Sequence, residues 1–213
     1  MKLHISFDMH DLEKALAIAQ QVEKYAIRLE IGSLLIYHHG ITAVKAFRDA
    51  FPDKELSVDI KIVDRGEESI KIFADAGADW ISVMAGTTKD IIHAACTMAH
   101  NLNKKIMLDL LDTDSYGQSA LEAQSLGADA LLFPTIYHEE ELPVLLDKWS
   151  MVKGNTSLPV YISGKINQEL INKISEIKPD AIIVGRAITN AQDPEMVAQD
   201  FLDKLGSAEP QEE

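Results

Sequence analysis

The stretch LSVDIKIVDRGEE, residues 56–68, holds a dense run of reactive groups. An apolar, strand-like run takes in Asp59 and Lys61; Asp64 follows, then a turn at Gly66. Side chains alternate faces along a strand, so Asp59 and Lys61 are expected to point the same way. Neighbouring carboxylates favour the ammonium form of Lys61. A Schiff-base lysine must be neutral when it attacks, so Lys61 reads as an electrophile or proton donor and not as a covalent nucleophile. Three more strand-like runs carry a carboxylate near their ends: LHISFD has Asp8, AIRLEI has Glu30 and KIMLDL has Asp109. Glu30 and Asp59 offer hard oxygen ligands suited to Mg²⁺. Such a metal beside a cationic lysine would stabilise an enediolate next to a carbonyl. The plainer alternative is an ion-pair network that only holds the structure together, because such networks also gather charge.

A second group lies near the C-terminal end. YISGK (161–165) and IVGRAIT (183–189) each leave an apolar run through a glycine and meet a cation. Glycine lets backbone come close to a phosphate, and N–H groups at a following helix start can bind it. Gly164, Gly185 and Arg186 are the anion-site candidates, with Lys165 as a point charge. Ordinary glycine turns are the competing account.

These groups need a scaffold that brings distant strand ends together. Strands are expected near 3–8, 26–31, 56–61, 80–84, 105–110, 130–133, 159–162 and 181–184. Helical patterns fill about 11–24, 40–50, 66–76, 88–102, 117–126, 138–150, 167–177 and 194–205. Apolar residues at 12, 15, 16, 19 and 22 follow a helical period, with Asp11 placed as a cap. Pro194 fits a first helical position, and Gly77 and Gly127 fit helix ends. Strictly alternating elements predict a parallel α/β sheet. Closed on itself, that sheet is a (βα)8 TIM barrel, one domain over 1–206, whose active sites lie at the C-terminal ends of the strands. An open doubly wound sheet would want a glycine-rich first turn, and SFDMHDLE has no glycine. Residues 207–213, acidic and without an apolar anchor, are expected to be disordered.

Composition bounds the partners. The net charge of −14 argues against nucleic acid and against an anionic membrane surface. The single cysteine, Cys96, cannot form an internal disulfide and reads as a packed helix residue. The N-terminus meets charge too early for a signal peptide, and no apolar run reaches spanning length, so a cytoplasmic location is expected. His38 and His39 are adjacent and His93 and His100 are seven apart, so neither pair has the spacing of a helical zinc site.

VDIKIVDRG resembles the D-x-K-x-x-D signature of the orotidine 5′-monophosphate decarboxylase superfamily. LEIGSLLIYHHGI, GADWISVMAG and VGRAITNAQDP are similar to its branch of 3-hexulose-6-phosphate synthases and 3-keto-L-gulonate-6-phosphate decarboxylases, from about residue 2 to 205. The resemblance implies a barrel that forms a homodimer with shared active sites. It implies Glu30 and Asp59 on Mg²⁺, Lys61 facing the enediolate and Asp64 reaching the neighbouring subunit's site. Arg186 and backbone near Gly164 and Gly185 would hold the phosphate of a ketose phosphate. Apart from the resemblance, Asp8 at the end of the first strand is expected to meet the substrate at the barrel top. Asp109 matches the synthases, whereas the decarboxylases resemble this chain there but carry glutamate. Glu30 stands where nucleotide decarboxylases carry lysine. The sequence departs from the branch at Pro134, where a histidine is expected, and at Lys165, where a second glycine is expected; His138 lies four residues beyond Pro134. The implied activity is aldol addition of formaldehyde to D-ribulose 5-phosphate. A decarboxylation of a β-keto acid sugar phosphate and a non-catalytic sugar-phosphate binder are the alternatives.

Overall fold

The strands and helices alternate along the chain as the patterning requires. In a computed structural model, which describes residues 1–135 and 142–206, the strands are β1 (Lys2–Phe7), β2 (Arg28–Ile31), β3 (Glu55–Ile62), β4 (Trp80–Met84), β5 (Lys105–Asp109), β6 (Ala130–Thr135), β7 (Val160–Gly164) and β8 (Ala181–Val184). Each pairs in parallel with the next, and β8 pairs with β1, closing the barrel. The helices are α1 (Leu12–Val22), α2 (Ser33–His39), α3 (Ile41–Ala50), α4 (Gly66–Asp75), α5 (Lys89–Asn101), α6 (Tyr116–Leu126), α7 (Leu142–Lys153), α8 (Leu170–Glu176), α9 (Arg186–Thr189) and α10 (Pro194–Gly206). His138 and the expected tail over 207–213 lie outside the described residues.

Local signals act where expected. Asp11 caps α1 by accepting from the Lys14 N–H, and Ala15, Ile18, Ala19 and Val22 are the buried face of that helix. Pro194 opens α10. Gly77 and Gly127 take positive φ just beyond α4 and α6. Two helices were not expected. The short α2 has only Leu35 fully buried and shows little periodicity, and α9 is a single turn. Among the described residues no helix is long and apolar enough to cross a membrane.

Strand alternation divides the core in two. Residues such as Leu3, Ile5, Leu29, Leu56 and Ile81 face the helices and form the larger apolar cluster. Trp80, Met107, Leu132, Tyr161 and Ile183 belong to a separate cluster inside the barrel. The registers stack the interior positions in layers, alternate strands contributing to each. From the N-terminal end upward these are Arg28, Trp80, Ala130 and Ala181; His4, Ser57, Met107 and Tyr161; Glu30, Ser82, Leu132 and Ile183; then Ser6, Asp59, Asp109 and Ser163. The first strands contribute mostly polar groups and the later strands mostly apolar ones. The polar half runs up to the strand ends where the carboxylates gather.

Candidate active site

A cavity of about 580 Å³ opens at the C-terminal ends of the strands. Nine of the ten residues singled out by sequence line it: Asp8, Glu30, Asp59, Lys61, Asp109, Gly164, Lys165, Gly185 and Arg186. Asp64 does not. It is exposed, and its Oδ1 accepts from the Arg65 N–H at 2.7 Å.

Asp59 and Lys61 meet as expected, but not through simple pleating. The β3–β4 register shifts between Val58 and Ile62, and Lys61 has φ 48°, left-handed backbone that a lysine rarely adopts. A bulge of this kind re-aims a side chain. Ser82 secures it, accepting from the Lys61 N–H at 2.9 Å while its hydroxyl donates to Asp59 Oδ1. The Lys61 ammonium then lies 2.9 Å from Asp59 Oδ1 and 3.1 Å from Asp109 Oδ2.

The electrostatics follow from burial and these pairs. Burial alone would lower the Lys61 pKa, but Asp59 and Asp109 together hold it above the ordinary lysine range. The group is therefore cationic at neutral pH. Burial raises the Asp109 pKa in spite of the Lys61 charge, and repulsion from Asp59 adds to it. Burial, with repulsion from Asp59, pushes Glu30 up to about 8, although Ser6 and Lys61 act the other way.

Glu30 and Asp59 form a hard-oxygen pair whose mutual repulsion a divalent cation would relieve. Among the described residues no group of three or more acid, histidine or cysteine side chains is arranged to hold a metal ion. Two carboxylates still fit Mg²⁺, which commonly completes its shell with water and substrate oxygens.

The opposite wall is made by β6, β7 and β8. A Cβ on Gly164, whose φ is +127°, would lie 1.9 Å from Thr135 Oγ1 and 2.6 Å from Thr135 O, so only glycine fits. Lys165, Gly185 and Arg186 continue that wall. Pro134 also lines the cavity, and among the described residues no histidine does.

The sequence reading missed the serines. Ser33 donates to Asp59 Oδ2 at 2.8 Å from the start of α2, while Asp8 Oδ1 accepts from the Leu34 N–H at 2.9 Å. Gly32 makes this approach possible, since a Cβ there would sit 2.7 Å from Asp8 Cα. Ser6, Ser82 and Ser163 all fall on inward positions of otherwise apolar strands, and that alternation was the available signal.

A family model described as "Orotidine 5'-phosphate decarboxylase / HUMPS family" matches residues 1–201. The chain belongs to this family. A 3-hexulose-6-phosphate synthase of Bacillus subtilis (strain 168) is 30% identical over 195 residues, spanning 91% of this chain and 93% of the relative. The crystal structure of 3-hexulose-6-phosphate synthase from Salmonella typhimurium superposes with a TM-score of 0.90 at 26% identity, covering 98% of this chain and all of that one (100%). A 3-keto-L-gulonate-6-phosphate decarboxylase from Vibrio cholerae O1 biovar El Tor follows at TM-score 0.84 and 26% identity, covering 98% of this chain and 99% of that one. Within the family, both named activities therefore occur among relatives sharing this fold.

Proposed function

We propose that the chain is a Mg²⁺-dependent lyase that works through an enediolate, adding formaldehyde to D-ribulose 5-phosphate to form 3-hexulose 6-phosphate, and the reverse. The observation that carries this reading is the Lys61 ammonium, held by Asp59 and Asp109 beside buried Glu30, across the cavity from the Gly164–Arg186 wall. The synthase relatives support the choice of reaction.

The phosphate end is taken by Arg186, Lys165 and backbone near Gly164 and Gly185. Glu30 and Asp59 would hold Mg²⁺, which when bound polarises a carbonyl and balances enediolate charge. Asp109, its basicity raised by burial, takes the proton from C1 of the ketose. The Lys61 N–H groups donate to the enediolate oxygen, where preorganised donors act most strongly. C1 then bonds to the formaldehyde carbon, and the former aldehyde oxygen takes the proton back from Asp109. Asp109 is assigned as the base because Pro134, standing where the branch is expected to carry a histidine, has no proton to move.

Asp64, exposed and outside its own chain's cavity, fits a homodimer in which it reaches the neighbouring site. Exposed Val63 and Leu111 provide apolar surface nearby in sequence to the site strands. Decarboxylation is the second reading, supported by the Vibrio relative and by an ammonium able to protonate an enediolate. The deciding assay follows formaldehyde consumption with D-ribulose 5-phosphate and Mg²⁺, with Lys61→Ala as control. Consumption by the wild type alone supports aldol chemistry. No consumption, with CO₂ released from 3-keto-L-gulonate 6-phosphate, moves the assignment to the decarboxylase.

A further inference from the structure

Below the cavity, the barrel interior holds four buried polar atoms with no hydrogen-bond partner among the described residues: His4 Nδ1, Arg28 Nη1, Ser57 Oγ and Trp80 Nε1. Their residues are only 1%, 3%, 1% and 5% exposed, so bulk solvent does not satisfy them. They come from four consecutive strands and fall in the two lowest layers of the barrel. Contacts tie most of them together. The Arg28 guanidinium carbon lies 3.9 Å from the Trp80 ring centre and 5.6 Å from that of Tyr161, whose ring meets His4 edge-on at 5.1 Å. Arg28 on β2 thus reaches across to β4, and Ser57 sits one layer higher on the strand between. Buried polar groups are almost always paired, so four orphans in one region ask for a common partner.

We propose that the floor of the barrel encloses a bound-water site, an ordered water held by Arg28, Trp80, His4 and Ser57. The hydrogen-bonding capacities match. Arg28 Nη1 and Trp80 Nε1 can only donate, whereas a neutral imidazole nitrogen and a serine oxygen can accept. A water accepts two hydrogen bonds and donates two, and buried waters make two to four. Burial, helped by the Arg28 charge, keeps His4 neutral, with its pKa lowered to about 3.

The same groups disfavour an ion. Glu55 Oε2 already neutralises Arg28, accepting from Nε at 3.2 Å and Nη2 at 3.0 Å. An anion at these four atoms would face two acceptors as well as two donors. A cation would face the guanidinium. The lowest layer is completed by the small side chains of Ala130 and Ala181, where barrels more often carry bulky branched ones. A second cavity of about 300 Å³ at this end is lined in part by Glu55 and Trp80. The site lies one layer beneath Glu30 and keeps the base of the active-site cavity polar.

A high-resolution crystal structure of the full chain, with a bromide-soaked crystal beside it, tests this. The expected result is a water peak about 2.7–3.2 Å from at least three of the four atoms. Oxygen-17 relaxation dispersion in solution should count one fewer long-lived water in Ser57→Val than in the wild type. If Ser57→Val does not fold, Trp80→Phe, which removes one donor with the ring that carries it, should show the same loss. A dry floor in which the four groups pair with one another overturns the proposal. So does an anomalous bromide peak at this position, or an unchanged water count in the variant that folds.

Discussion

Lys61 Nζ stands 2.9 Å from Asp59 Oδ1 although the strand carrying both is bulged between them and Lys61 takes a left-handed backbone. Strained backbone persists only where its surroundings enforce it. Here the Ser82 hydroxyl and two carboxylates do so.

Replacing Lys61 by alanine or by glycine removes the same charge, so both variants should lose roughly 10²–10³-fold in kcat, the usual effect of one preorganised donor. Their stabilities should differ. The left-handed conformation costs an L-residue about 1–2 kcal/mol that glycine avoids, so Lys61→Gly should be the more stable of the two by about that amount. Urea unfolding of the pair measures it, and equal midpoints would mean that the strand relaxes once the ammonium is gone.

Metal-free protein should lose stability as pH rises from 4.5 to about 8, the window over which burial and Asp59 shift Glu30. There the folded state keeps a proton that the unfolded chain releases, so unfolding gains with every rise in pH. Added Mg²⁺, binding the ionised pair, should restore stability most at the upper end. Thermal unfolding in EDTA and in Mg²⁺, for the wild type and Glu30→Gln, reads this out. A Gln variant with the wild-type slope would show that another group titrates.

His4 should act in the opposite sense. Burial first, with Arg28 nearby, lowers its pKa from 6.5 to about 3. As pH falls through that window the unfolded chain takes up a proton that the folded protein refuses, and stability is lost. In His4→Phe that share of the acid destabilisation should vanish, seen as a slope smaller by one proton in stability against pH.

Gly164→Ala should weaken phosphate binding and lower the melting temperature, because its Cβ would strike Thr135. Adding Thr135→Ala removes the hydroxyl clash but leaves the carbonyl 2.6 Å away and φ at +127°, so recovery should be partial. Full recovery in the double variant would assign the whole effect to the hydroxyl.

Arg186→Ala should raise KM for the phosphorylated substrate roughly 10–150-fold, the loss of a charged hydrogen bond worth about 1.5–3 kcal/mol. A fall in kcat with KM unchanged would place Arg186 away from the phosphate.

The strand-end carboxylates were legible because each breaks an apolar run at the same end of a strand, and a parallel barrel brings such ends together. The cavity-wall glycines Gly164 and Gly185 were legible because each closes or follows one of the last two strands. Ser33 and Ser82 were harder to find: a serine in a strand or after a glycine carries no signal until its partner's position is known. The helix α2 was missed because seven residues with one fully buried side chain show almost no period.

By itself, then, the sequence determined the alternation of elements, the closure into a barrel and the residue types at its mouth. These rest on periodicity and turn chemistry, which act over a few neighbouring residues. The tertiary structure decided the bulge that turns Lys61 inward, the serines that hold Asp59, the exclusion of Asp64 from its own chain's cavity and the polar column beneath Glu30. Each depends on register between strands far apart in the chain, and register is set by packing and hydrogen bonding across the sheet.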